Sequence, residues 1–316
     1  SIPRISLDAP NRFSPAAEPG TAQLNAKITH GPLTRNSSER PLNLSQYPFK
    51  SGERLIYDIG FQKSIVSGTV GQLELEVKYP VSTDVGVSNG NSGIPRADGA
   101  GPKPDPVSGT GGDRPDPRQQ DSEIELKGTL TSKGFYTWVL GVNVQDTYQS
   151  IVSARDLSLS RFVKVADQSN QHRREETSID RVHGLATYED TDVGKADAQP
   201  KTRIVSCPPW VLDILSAFYF VRAANLREDQ TLTIPLTDAG RVFNIDLVAG
   251  THETVDFKSG KAKALAVDVR IFDGRYVKRS GQLTVWLSDD STHVPVRARV
   301  KVNGLTINVV LERLPG

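Results

Sequence analysis

The chain has no methionine and a single cysteine, Cys207, in 316 residues. One cysteine excludes an internal disulfide framework, a CxxC redox pair and a zinc set built on thiolates. Lying far from the N-terminus, Cys207 is no lipid anchor, and just ahead of an apolar stretch it reads as a small buried residue. Charge of one sign is also lacking: 38 Lys and Arg against 37 Asp and Glu leave a formal net charge of +1. No whole-chain field therefore favours nucleic acid or an anionic membrane. Long apolar runs are missing as well. The longest candidate, around Val211 to Val221, is interrupted by Asp213 and Ser216 and falls short of the roughly 18 residues that span a bilayer as a helix. Ser1 in place of an initiator Met fits removal of a signal peptide, and trimming fits it equally well. The expectation is an exported protein, periplasmic or associated with the outer envelope, without a transmembrane segment.

Catalytic and cofactor signatures are absent too. Gly86-Val87-Ser88-Asn89-Gly90 has the letters of a nucleophile elbow. That chemistry needs a strained strand-to-helix turn, and this Ser sits in a Gly-rich stretch. No Gly-rich loop ends in Gly-Lys-Ser/Thr, so phosphate binding of that kind is not expected. His30, His172, His183, His252 and His293 are scattered, without the close pairing that begins a metal site. Asp289-Asp290 beside His293 is the best acid and imidazole cluster, and a general base with an orienting carboxylate would be built from it; a polar hairpin turn explains it better. Glu74 and Glu76 alternate with Leu73, Leu75 and Val77 and read as the solvated face of a strand. The expectations are no catalytic residue, no metal and no cofactor.

What is present is alternation. Residues 1–48 are rich in Pro, Ser, Asn and Arg without sustained period, which reads as an extended or disordered arm. Leu55, Tyr57, Ile59 and Phe61 then share one parity, as do Leu73, Leu75, Val77 and Tyr79; both runs read as strands with one buried face. About 82–122 is Gly, Pro, Asp and Ser with almost no large apolar residue, a flexible insert rather than core. Short alternating runs return from Ile124, through Phe135 to Val144, Tyr148 to Val152 and Leu157 to Val165. The charged stretch Gln171 to Asp180 reads as a solvent-facing strand or hairpin. After residue 230 six further strands are expected: Thr231 to Leu236, Arg241 to Ala249, Ala262 to Phe272, Tyr276 to Leu287, His293 to Val302 and Leu305 to Leu314. Asn303-Gly304 is a two-residue turn signal between the last two.

One segment breaks the β rhythm. Pro209 fits a first helical position, Asp213 lies near the positive end and Arg222 near the negative end. Trp210, Ile214, Phe218 and Val221 recur at helical spacing, and Val211, Leu212, Leu215 and Tyr219 make a second apolar face. A helix at about 209–222, largely surrounded by other elements, is predicted. The fold class is mostly β: a large curved antiparallel sheet or open barrel-like meander with this one principal helix, residues 49–316 forming a single domain.

Three stretches carry a family resemblance: Phe49-Lys50-Ser51-Gly52-Glu53-Arg54-Leu55-Ile56-Tyr57, Asp213 through Arg222, and Trp286 through Val296. In this order and spread the chain resembles the domain of unknown function 3108 family. The resemblance implies an exported β-rich protein and supplies no catalytic residue to carry over. It leaves a non-catalytic envelope protein that binds a partner protein or a lipid-like ligand as the leading functional expectation. A scaffold subunit comes second and a hydrolase last. Trp138, Trp210, Phe218, Tyr219 and Trp286 are the candidate ligand-binding residues, since aromatics between a curved sheet and its helix line an acyl pocket or fill a core.

Overall fold

The computed structural model describes residues 47–79, 123–133, 143–169, 171–272, 281–302 and 304–315. The expected arm and insert lie outside them, apart from Tyr47 and Pro48. Eight strands follow the chain in antiparallel succession: β1 (Arg54–Lys63), β2 (Val66–Lys78), β3 (Glu123–Ser132), β4 (Val144–Ser153), β5 (Leu159–Gln168), β6 (Gln171–Asp180), β7 (Leu185–Asp192) and β8 (Lys201–Ser206). The helix α1 (Ile214–Ala223) intervenes. Six strands complete the fold: β9 (Thr231–Asp238), β10 (Arg241–Phe257), β11 (Gly260–Phe272), β12 (Gly281–Ser288), β13 (Pro295–Val302) and β14 (Leu305–Leu311).

All fourteen belong to one sheet, in the order β8-β7-β6-β5-β4-β3-β2-β1-β14-β13-β12-β11-β10-β9. The join is β1 with β14, where Tyr57 opposes Leu311. The expected parity holds on β1 to β3: Leu55, Tyr57, Phe61, Leu75, Val77, Ile124 and Leu126 are buried, because alternate side chains of a strand share a face. The sheet is curved but not closed, as β8 and β9 do not pair.

Its two edges are treated differently. Leu212 donates its N–H to Pro235 O at 3.0 Å and accepts from Thr237 N at 2.8 Å, so the chain ahead of the helix lies along the β9 edge. One residue earlier, Val211 O accepts from Leu159 N at 2.9 Å, tying the same segment to the start of β5. The β8 edge has no such cover among the described residues.

This use of Val211 and Leu212 shortens the helix. It starts at Ile214, not at Pro209, because the two preceding peptides are already committed to strand-like bonds. Asp213 is the N-cap, with its side chain accepting from Ser216 N while Ser216 Oγ accepts from Asp213 N; this reciprocal arrangement satisfies two of the orphan donors of a helix start. The surrounded helix is observed: Leu215, Ala217, Tyr219, Phe220, Val221 and Arg222 are buried, Phe218 and Ala223 are half-buried, and Ile214 is 60% exposed.

Two further differences share one cause, and a third has its own. The Gln171 to Asp180 stretch is the strand of its two expected forms, β6, exposed or half-buried at all but Thr177 yet interior to the sheet, and β7 and β8, which carry no clear apolar period, continue the sheet beyond it. The face that β4 to β7 turn inward is polar. Ser150 donates to Asp213, Gln168 donates to Asp146 at 2.9 Å, and Glu175 accepts from Tyr188 at 2.8 Å and Lys164 at 3.1 Å. A strand whose buried face is hydrogen-bonded shows no alternation of apolar residues. Lastly, β10 runs past Ala249 to Phe257 through a bulge between Ala249 and His252, so Gly250-Thr251 is a register shift rather than a strand end.

Candidate functional site

The three stretches that carry the family resemblance meet at the C-terminal end of α1. Arg222 comes from the last turn of the helix, Glu53 from the approach to β1 and Thr292 from the β12–β13 turn. Arg222 Nη1 donates to Glu53 Oε1 at 2.5 Å and Nη2 to Oε2 at 3.0 Å, a bidentate pair. Nε donates to Thr292 O at 3.1 Å and Nη2 also reaches Pro48 O at 3.4 Å. The guanidinium also lies against the adjoining Phe49 and Tyr219 rings, at 5.3 and 5.5 Å from their centroids. Arg222 has 0% exposure. Taking such a charge out of water costs several kcal/mol unless its donors are matched, and here all three nitrogens have acceptors.

Against this node lies a cavity of about 410 Å³. Val221, Leu226, Leu265 and Leu287 contribute apolar lining; His252 and His293 are among the polar residues around it. His252, just past the β10 bulge, is spanned by two carboxylates: Glu228 Oε1 lies 2.7 Å from Nδ1 and Asp289 Oδ1 lies 3.1 Å from Nε2. Lys263 Nζ reaches the second oxygen of Asp289 at 2.6 Å. The hydrogen bond from His252 holds the Glu228 carboxyl below its ordinary range; for Asp289 the leading cause of the same shift is the bond from Lys263. His293 takes φ +42, a left-handed conformation that costs a residue with a Cβ about 1 kcal/mol or more. Its Nδ1 lies 3.0 Å from Arg222 O, and because a carbonyl only accepts, Nδ1 carries the hydrogen.

The acid and imidazole pair read from the sequence does not assemble. Asp290 Oδ1 accepts from Thr292 N at 2.8 Å and Ser288 Oγ at 3.0 Å, the bonds of a polar turn. It meets His293 at that residue's backbone, whose N–H donates to Asp290 O at 3.3 Å, and not at the imidazole, whose Nδ1 faces Arg222 O. Asp289, not Asp290, is the carboxylate that meets an imidazole, and it meets His252. With both nitrogens engaged by carboxylates, His252 has none free to take a proton from a substrate.

The five aromatic candidates do not converge. Trp138 lies outside the described residues. Trp210 is half-buried ahead of the helix, its Nε1 buried without a hydrogen-bond partner among the described residues. Phe218 and Tyr219 are packed together edge to face at 5.2 Å; Phe218 meets Tyr57 at 6.2 Å and Tyr219 meets Phe49 at 4.9 Å. They fill the core between helix and sheet, and burial pushes the Tyr219 phenol well up. Trp286 points the other way. Its neighbour Leu287 lines the cavity beside Val221, so by strand alternation Trp286 lies on the opposite face, with the Arg299 guanidinium 5.0 Å over its ring. Glu53, Glu228 and His252 were not singled out from the sequence. Glu53 stood inside the first family-like stretch, whereas nothing local marks the other two.

Cys207 is buried as expected, packed with Ala186 and Val211, and burial raises its thiol pKa. No group of three or more His, Cys, Asp or Glu among the described residues is placed to hold a metal ion. No helix among them is long and apolar enough to cross a membrane.

A family model described as "Protein of unknown function (DUF3108)" matches residues 114–309. Among solved structures, a β-barrel-like protein of the domain of unknown function DUF1849 from Brucella abortus aligns at 11% identity and TM-score 0.47, covering 83% of this chain and 95% of its own. A Bacteroides fragilis NCTC 9343 protein with a YmcC-like fold, inferred to be exported, aligns at 12% identity and TM-score 0.29, covering 85% and 98%. No curated protein matches the chain.

Proposed function

As the chain belongs to the DUF3108 family of proteins of unknown function, we propose from its own site that it is a non-catalytic cell-envelope protein holding a small amphiphilic ligand at the C-terminal end of α1. The observation that carries the reading is the cavity of about 410 Å³ with apolar Val221, Leu226, Leu265 and Leu287 beside polar His252 and His293. That volume is at the small end of the range for ligand pockets and suits a compact molecule rather than a long acyl chain. The wall is pre-organised: the bidentate Arg222–Glu53 pair and the Glu228–His252–Asp289 chain hold it before any ligand arrives, which lowers the cost of binding. A ligand with an apolar body and a polar head satisfies both kinds of lining. The non-catalytic part of the proposal rests on the engagement of His252 by two carboxylates and of Asp290 by its turn.

Extraction of natively purified protein followed by mass spectrometry tests the reading. A reproducible small amphiphile is the expected result; no extractable molecule, together with no thermal stabilisation by a panel of such compounds, overturns it. Envelope location is what the family resemblance implies, and fractionation of the source cells checks it, with recovery in the cytoplasmic fraction as the contrary result.

A second reading, partner binding by strand addition, has one observation behind it. Among the described residues no strand pairs with the outer edge of β8, and Ile204 on it is 62% exposed, whereas Lys201 and Arg203 are the kind of residues that guard a free edge. Cross-linking in the native envelope that captures β8 peptides favours this reading; their absence from all cross-links removes it.

A further inference from the structure

The rim of the sheet opposite the cavity has its own character. Lys63 pairs with Leu305, Leu305 with Val302, and Val302 with Gly281, so the β1–β2 turn, the β13–β14 turn and the start of β12 lie along one end. The cavity flanks the far end of β12, roughly 24 Å away at the rise of an extended strand.

At this rim the β1–β2 connection is a two-residue turn, Ser64-Ile65, between paired Lys63 and Val66. Ser64 takes φ +54, where Gly or Asn is the usual choice. Ile65 is 99% exposed and Val66 45%. A hairpin tip ordinarily carries polar or small residues, and here an apolar residue stands wholly in solvent on a turn that Ser fits poorly.

Cations flank it. Lys63 is on the same hairpin, on the Phe61 side of the sheet, and Lys301 is on β13, two strands away or about 10 Å by strand spacing and on the other side, so the two bracket the rim from its two faces. Arg299 follows two residues further along β13, held over the Trp286 ring. None of the three has a carboxylate within ion-pairing distance among the described residues. Their cross-strand neighbours on β12 and β14 are Gln282, Thr284, Thr306 and Asn308, all uncharged.

We propose that this rim docks on an anionic bilayer surface, with Ile65 and Val66 entering the headgroup region and Lys63, Lys301 and Arg299 meeting lipid phosphates. Two exposed apolar residues are far short of the roughly 800 Å² per partner that a stable protein interface buries, but interfacial docking adds a little apolar insertion to electrostatic attraction. A soluble polyanion gains nothing from Ile65, whereas a bilayer uses the apolar tip and the cations together. The whole-chain charge of +1 gives no sign of this, because a sum over the chain does not register local placement.

Flotation of the full chain with vesicles tests it, using phosphatidylcholine alone and phosphatidylcholine with about a third phosphatidylglycerol. Wild type floats with the anionic vesicles, less at high salt, and stays down with the neutral ones. Ile65→Asp and the double variant Lys63→Glu/Lys301→Glu each lower the partition coefficient roughly tenfold or more. Unchanged thermal melts show that both variants are folded. The proposal fails if wild type does not float with anionic vesicles, or if it floats equally with neutral ones. It also fails if Ile65→Asp floats like wild type, which would mark the rim as a general polyanion surface.

Discussion

The two ends of β12 handle charge in opposite ways. Beyond Ser288, Arg222 is buried and saturated with acceptors, and His252 is bracketed by carboxylates. Before Gly281, at the other rim, Lys301 and Lys63 stand beside a fully exposed Ile65. The first end spends several interactions on fixing geometry, as a preformed pocket requires. The second leaves its groups unsatisfied within the molecule, as a contact surface does. Substitutions should therefore act on stability at one end and on association at the other.

The largest effect is expected at the buried pair. Removing one partner, by Arg222→Met or Glu53→Ala, leaves the other charge buried and costs about 3–5 kcal/mol. Denaturant unfolding measures it, and the double variant should lose clearly less than the sum of the two. Additive losses would mean that the pair does not act as a unit.

Asp213, at the N-terminal end of the helix, comes next. Asp213→Ala removes the cap and should cost about 1–2 kcal/mol. Because burial raises the Asp213 carboxyl, its contribution is fully present below the ordinary Asp value and falls as pH rises through the raised one. Asp213→Asn, which keeps a capping oxygen but does not titrate, should therefore gain on wild type as pH rises above about 4. A constant difference across pH would contradict the buried, uphill ionisation.

A smaller effect belongs to the cavity rim. Glu228 and Asp289 have lowered carboxyls, so their stabilisation is present above the ordinary carboxylate range and lost as pH falls through the lowered values. Glu228→Gln should lower the neutral plateau slightly and flatten the acid limb of the melting curve, so that the two proteins converge as pH falls through the lowered value. The smallest effect is at the opposite rim: Ile65→Asp should move stability by no more than about 0.5 kcal/mol. A large loss there would erase the contrast between the ends.

Much of the architecture was legible in the sequence because one face of most strands is apolar. Leu55-Tyr57-Phe61 and Leu75-Val77 sit where their parity put them, and the charges of Asp213 and Arg222 marked the two ends of the helix. Strand β6 was read only as a solvent-facing strand or hairpin, and β7 and β8 escaped notice, because their inward side chains, such as Glu175 and Tyr188, are hydrogen-bonded polar groups without an apolar period. The helix start was misplaced because Val211 and Leu212 have helical spacing but bond to β5 and β9. Trp286 was assigned to the concave face since Val285-Trp286-Leu287 is apolar throughout, and such a run does not say which side is in. Glu228 and His252 come together only because a bulge in β10 turns one toward the loop that bears the other, a tertiary event with no local mark.

The claim that the helix end is the ligand site is tested most directly by native mass spectrometry of three proteins purified in parallel: wild type, Leu287→Trp, which fills the cavity, and Ile65→Asp, which alters only the far rim. The same small-molecule adduct on wild type and Ile65→Asp, and its absence from a folded Leu287→Trp, is the predicted result. An equal adduct on Leu287→Trp would place the ligand elsewhere and contradict the account.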